Sequence, residues 1–162
     1  MTPLSRYIAL IQTLLETPEV QSMDQWNHHL GVSCFQHSVF VSYVAWRLAP
    51  RFGVDPYEAA RAGLLHDLYL YEPYDPAAHP GNQCFYHPVA ALANAKKLVP
   101  DLSPQEENSI LTHMWPLAAH MPRCRLAIVV NLADKFCATV ELLKIYKLLK
   151  LWSEMPRSNY SG

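Results

Sequence analysis

No apolar run in this sequence approaches the length of a membrane span. The longest stretches, such as Leu126-Ala127-Ile128-Val129-Val130, fall far short of the roughly 18 residues required. A secretory signal is not expected either, because Gln12 and Thr13 interrupt the apolar residues after Arg6 and no small-residue cleavage site follows. Charge is scarce: 17% of residues are charged and the net charge is -1. That balance gives no broad electrostatic footprint for a nucleic-acid polymer or an anionic membrane. Four cysteines, Cys34, Cys84, Cys124 and Cys137, form no C-x-x-C pair, which argues against a disulfide scaffold and for free thiols in a reducing compartment. The expected location is cytoplasmic. No segment shows sustained strand alternation, a hairpin turn signal, an internal repeat or low complexity.

What is present is a helical pattern in a chain of 162 residues, half of them hydrophobic, enough for one domain with a core of its own. Residues 3–16 place Leu4, Ile8, Ile11 and Leu15 at helical spacing. A longer helix is expected over 33–50, with Phe40, Val41, Val44, Ala45 and Leu48 on its apolar side and Pro50 closing it. Asp55-Pro56, with Glu58 completing a capping box, starts a helix that runs to His66-Asp67. Residues 69–87 lack periodicity and are rich in Tyr, Pro, Asp, Gly and Asn, a long loop of the kind that is often functional. Pro88 restarts a helix to about Leu98. Ser103-Pro104 with Glu106 is a second capping box, opening a helix to about His113, and a last helix is expected from Arg123 to Trp152. The fold class is all-α: a single-domain helical bundle over residues 1–154, followed by a polar tail, 155–162, expected to fray.

The unusual feature is eight histidines. His37 lies on the inward side of the first long helix. The pair His66-Asp67 ends an almost wholly apolar helix, His87 sits where the long loop becomes helix, and His113 closes the helix after the second capping box. Asp134 falls among Val130, Leu132, Ala133 and Phe136, costly surroundings for a carboxylate unless it is paired or bound to a cation. Two carboxylates and four imidazoles on otherwise apolar elements point to one buried polar site. Neutral imidazole and carboxylate suit divalent Fe, Mn, Co, Ni or Zn, with Mg also possible. Without paired cysteines a structural zinc site is not indicated.

The phrases Phe35-Gln36-His37-Ser38, Gly63-Leu64-Leu65-His66-Asp67, Tyr86-His87-Pro88, Ile110-Leu111-Thr112-His113-Met114 and Asn131-Leu132-Ala133-Asp134-Lys135 resemble the HD superfamily of metal-dependent phosphohydrolases. The likeness spans about residues 35–140 and is nearest to its small stand-alone bacterial members. It implies that His37, His66, Asp67 and Asp134 hold one metal ion. His87 and His113 would extend the site to two, with Asp67 bridging. It also implies hydrolysis of a small phosphate ester, a nucleotide or dinucleotide, through a metal-bound hydroxide, with Asp67 and Lys135 as catalytic residues and Lys135 facing the substrate phosphate. Met114 stands where some dinuclear members carry a second histidine, and the Gly-Tyr-Pro segment of the cyclic-dinucleotide hydrolases is missing. Both count against a cyclic dinucleotide.

Further candidates come from position alone. His79 in the long loop and His120 in the connection after Trp115 could contact phosphate or donate a proton. Trp115, together with the aromatics of the loop, could form a wall for a flat group. Arg123 and Arg125 read as solvated, and His28 and His29 lie outside the matched phrases and outside the expected site. The expected partner is a small phosphorylated substrate, with no nucleic-acid polymer and no membrane. Two rival readings share the fold: a di-iron oxygenase using the same ligands, and a non-catalytic nucleotide-binding sensor or adaptor.

Overall fold

The computed structural model describes residues 1–29 and 31–160. Among them eight helices carry the fold: α1 (Pro3–Leu15), α2 (Pro18–Ser22), α3 (Cys34–Phe52), α4 (Pro56–Leu65), α5 (Gln83–Leu98), α6 (Pro104–Thr112), α7 (Arg125–Leu142) and α8 (Lys150–Glu154). The chain is all-α apart from one short antiparallel hairpin, β1 (Asn27–His29) with β2 (Val32–Ser33). The sequence has no alternation long enough to announce a hairpin this short. No helix is long and apolar enough to cross a membrane among the described residues.

Local chemistry explains most helix starts. Thr2 accepts from the Ser5 amide with Pro3 at the first helical position, and Ser103 with Glu106 makes both bonds of the expected capping box. Ser33 and Gln36 form a second complete box at the start of α3. The α4 cap is simpler than expected: Asp55 accepts from the Tyr57 amide at 2.6 Å, without the reciprocal Glu58 bond of a capping box.

The two prolines behave differently from expectation. Pro50 lies inside α3, which continues to Phe52 and ends at Gly53 with φ 63°. The chain there needs a left-handed residue, which glycine supplies at little cost. Pro88 also lies inside its helix, because Asn82 caps α5 six residues earlier by accepting from the Cys84 amide. The long loop is therefore shorter, ending at Asn82. The last helix is not continuous: α7 stops at Leu142, Lys144 has φ 58°, and a 3-10 turn (Ile145–Leu148) precedes α8. Of the stretch expected to fray, residues 155–160 return to the body, while 161 and 162 lie outside the described residues. Met155 is buried, and the Asn159 amide donates to Gln21 Oε1 at 2.6 Å.

The core lies where α3 packs on α4 and α7, with α6 closing against α7, α4 and α5. The α3–α4 contact is close enough to need glycine. A Cβ on Gly63 would stand 2.8 Å from the Ser42 Cα, and Ser42 Oγ donates to the Ala60 carbonyl at 2.6 Å. A buried two-pronged ion pair ties α4 to α6, Arg61 Nε to Glu106 Oε1 at 2.5 Å and Nη2 to Oε2 at 2.6 Å. It sets side by side the two helices whose C-terminal ends carry His66 and His113.

The Gly63 contact makes a direct test. Gly63→Ala forces α3 and α4 apart and should destabilise the fold by about 1–3 kcal/mol, the usual range for overpacking. Urea denaturation of the two proteins measures it, and an unchanged midpoint would show that the helices can separate freely.

Candidate metal centre

His66 and His113 occupy the same local position, each capping the C-terminus of its helix. The last carbonyls of a helix have no intrahelical donor. Each imidazole supplies one: His66 Nδ1 lies 2.7 Å from the Gly63 carbonyl and His113 Nδ1 lies 2.7 Å from the Ile110 carbonyl. His87, one turn into α5, is oriented by the same kind of bond, with Nδ1 2.8 Å from the Gln83 carbonyl. A carbonyl oxygen only accepts, so in all three rings Nδ1 carries the proton and Nε2 turns a lone pair inward. His37 has a carboxylate in the same role, its Nδ1 2.8 Å from Glu141 Oε2. All four rings are thus held with Nδ1 bonded outward and Nε2, the atom a bound ion would take, facing inward.

The four Nε2 atoms meet Asp67. Its Oδ2 lies 3.4 Å from His66 Nε2 and 4.0 Å from His37 Nε2, while Oδ1 lies 3.3 Å from His87 Nε2 and 3.4 Å from His113 Nε2. Asp134 Oδ1 adds contacts at 3.1 Å to His37 and 3.7 Å to His66. The six residues singled out in the sequence are brought to one place, and all are buried. Two triads, His37-His66-Asp67 and Asp67-His87-His113, have donor atoms mutually close enough to hold an ion.

Several features call for a cation. His66 Nε2 and Asp67 Oδ1 are buried without a hydrogen-bond partner, a costly state for polar atoms unless something else binds them. His87 Nε2 and His113 Nε2 stand 2.8 Å apart. With both Nδ1 atoms already donating, two lone pairs face each other unless a proton or an ion lies between them. Burial pushes the His113 pKa down, which disfavours the proton. Three buried carboxylates, Asp67, Asp134 and Glu141, complete an anionic floor that needs positive charge.

The electrostatics follow. Burial opposes ionisation of Asp67 and Asp134, but the surrounding imidazoles outweigh it: chiefly His66, His113 and His87 for Asp67, and His37 and His66 for Asp134. Both carboxyls are held well below the usual range. Burial opposes protonation of His37 too, yet Glu141 and Asp134 raise it from 6.5 to about 10. Burial lowers Lys135, partly offset by Asp134.

The cluster floors a cleft of about 380 Å³ lined by Asp67, His87, His113, Asp134 and Lys135, with apolar and aromatic walls that include Tyr69, Tyr74, Leu117 and Leu142. Lys135 Nζ donates to the His113 carbonyl at 2.9 Å and lies 3.8 Å from Asp134 Oδ2, in the lining of the cleft. The other outer candidates are not brought in. His79 packs within its own loop against Tyr71 and Tyr86, with Nε2 near the Pro73 carbonyl. His120 is exposed. Trp115 presents its carbonyl to Asn131 and does not line the cleft, where Met114 and Leu117 stand instead. Leu132 and Phe136, read as surrounding Asp134, are exposed, whereas Val130 and Ala133 are buried.

Two residues were missed. Glu141, wholly buried against His37, lies seven positions after Asp134 on the same helix; that i, i+7 spacing was a legible signal. His28, set aside in the sequence, has its Nδ1 3.5 Å from Asp67 Oδ2 and its ring stacked on His37 at 3.9 Å.

With this geometry in view, the comparisons with known proteins agree. The HD domain family model matches residues 34–139, well over half of the chain, and the chain belongs to the HD domain family. This is a superfamily of metal-dependent phosphohydrolases whose members bind divalent metals. The chain is also 50% identical over 38 residues to Ribonuclease Y of Clostridium kluyveri (strain ATCC 8527 / DSM 555 / NBRC 12016 / NCIMB 10680 / K1), a match covering 24% of the chain and 7% of that protein. Ribonuclease Y of Clostridium tetani (strain Massachusetts / E88) matches to the same extent. No solved structure matches significantly.

Two outcomes are expected. Glu141→Gln weakens the carboxylate–imidazole bond and should lower divalent-metal affinity about 10–100-fold, the usual effect of losing such support, as read by chelator competition. The second is a pH effect. Because His37 rises from 6.5 to about 10 on folding, its protonation stabilises the metal-free fold fully below 6.5 and less as pH climbs towards 10. Melting temperatures of metal-free protein should fall over that window and those of metal-loaded protein should not. Parallel curves would refute the assignment.

Proposed function

We propose that the protein is a metal-dependent phosphohydrolase that cleaves a small phosphate ester of nucleotide or dinucleotide size. His37, His66, Asp67 and Asp134 hold one divalent ion, and His87 and His113 a second, with Asp67 shared between them. The observation that carries this reading is the convergence of four tautomer-locked imidazoles on the two oxygens of one buried aspartate, at the floor of a cleft open to solvent. The donor set of nitrogens and oxygens suits Fe, Mn, Co, Ni or Zn, with Mg as a weaker fit. A bound divalent ion supplies Lewis acidity towards water and a phosphoryl oxygen.

The chain's own residues do the rest. Asp67 is the carboxylate placed to orient the attacking water. Lys135 reaches the rim from α7 and offsets negative charge on the phosphoryl oxygens. Tyr74 and Leu117 offer flat and apolar contact to the organic part of the substrate. Among the described lining residues Lys135 is the only lysine or arginine, which together with the net charge of -1 favours a small substrate over a nucleic-acid polymer. The short likeness to Ribonuclease Y supports hydrolysis of phosphate esters and carries no weight for RNA as substrate, since it covers 7% of that protein.

Elemental analysis of the purified protein, followed by a phosphatase and phosphodiesterase screen with each candidate metal, tests the reading. Asp67→Ala should lose both bound metal and hydrolysis. Full activity in a metal-free Asp67→Ala variant would end it. Oxygen consumption on a phosphate-free substrate would point to a di-iron oxygenase, and tight nucleotide binding without turnover under every metal to a sensor.

A further inference from the structure

The cluster has one more histidine than its family pattern accounts for. His28 precedes the matched region, residues 34–139, and reaches the site from β1 of the hairpin. Its Nδ1 is 3.5 Å from Asp67 Oδ2, as close as His66 Nε2 at 3.4 Å and closer than His37 Nε2 at 4.0 Å. The three rings therefore surround one carboxylate oxygen, while His87 and His113 attend the other. His28, Cys34 and Asp67 also have donor atoms mutually close enough to hold an ion.

The position is built rather than incidental. The hairpin is fastened to the start of α3 by the Cys34 amide donating to the Trp26 carbonyl at 2.8 Å. The Tyr74 hydroxyl, from the loop between α4 and α5, donates to the His28 carbonyl at 2.9 Å. The ring stacks on His37 at 3.9 Å and 28°, which limits its rotation. His28 also lines the cleft, so its imidazole stands between the cluster and the opening.

We propose that His28 is a further ligand of the metal centre, binding through Nδ1 on the side of Asp67 Oδ2. The proposal rests on the cluster's being a metal centre. It ties the ion to the hairpin, and through Tyr74 to the loop beside the cleft, so that the elements flanking the opening are anchored to the metal itself. Losing a histidine that only hydrogen-bonds Asp67 would also weaken binding, but it would leave the number of imidazoles on the metal unchanged, and this separates the two roles.

Metal-free full-length protein titrated with Co(II) provides the test. His28→Ala and His28→Gln should each lower Co(II) affinity at least tenfold and change its visible absorption. The hyperfine-shifted imidazole N–H resonances of the Co(II) protein should number one fewer. His120→Ala, which removes an exposed histidine away from the cleft, should leave all three unchanged. Melting of the metal-free variants checks that the fold persists; should His28→Ala fail to fold, the His28→Gln spectrum decides. Wild-type affinity and spectrum in a folded His28 variant would overturn this inference and leave the metal centre standing. No Co(II) binding by the wild type would overturn both.

Discussion

The buried carboxylate of Asp67 is the constraint around which the rest of the structure is arranged. It lies 2% exposed, and two further buried carboxylates, Asp134 and Glu141, share its neighbour His37. Isolated charge in such a place is unstable. The fold answers by sending imidazoles to it from α3, α5, the ends of α4 and α6, and the hairpin. Each of those elements contributes one imidazole to the shared point.

What turns that convergence into a metal site is control of the protons. The C-terminal carbonyls of α4 and α6 each take an imidazole N–H, and so does the Gln83 carbonyl at the start of α5. His66 and His113 thereby satisfy backbone acceptors that the helix ends leave open, and in all three rings the same bond turns the other nitrogen towards the cluster. The Arg61–Glu106 pair between α4 and α6 and the close approach of Gly63 to Ser42 then hold those helix ends in position. Scaffold and site are one hydrogen-bonded system, which is why residues far from the cleft control its geometry.

Much of this was legible in the chain. His37, His66, Asp67, His87, His113 and Asp134 could be read as one set because each is a polar residue at an inward position of an apolar element. The Ser103 capping box is a short-range signal that depends on three or four neighbouring residues, and it holds. The errors come from competition between local signals. Pro50 and Pro88 read as boundaries, yet Gly53 and Asn82 provide stronger ones a few residues away. The left-handed turn at Lys144, which ends α7, has no marker such as glycine or asparagine.

By itself the sequence determined the all-α class, the helix that presents His66-Asp67 and the residue types of the candidate metal set, since these follow from periodicity, caps and the cost of burying polar groups. Only the tertiary structure decided that Glu141 supports His37 and that His28 joins the cluster. It also decided that Lys135 reaches the rim while His79, His120 and Trp115 stay outside. The reason is distance along the chain. Glu141 meets His37 across 104 residues, and no local pattern encodes where one side chain will lie relative to another so remote. That relation is settled by how the helices pack.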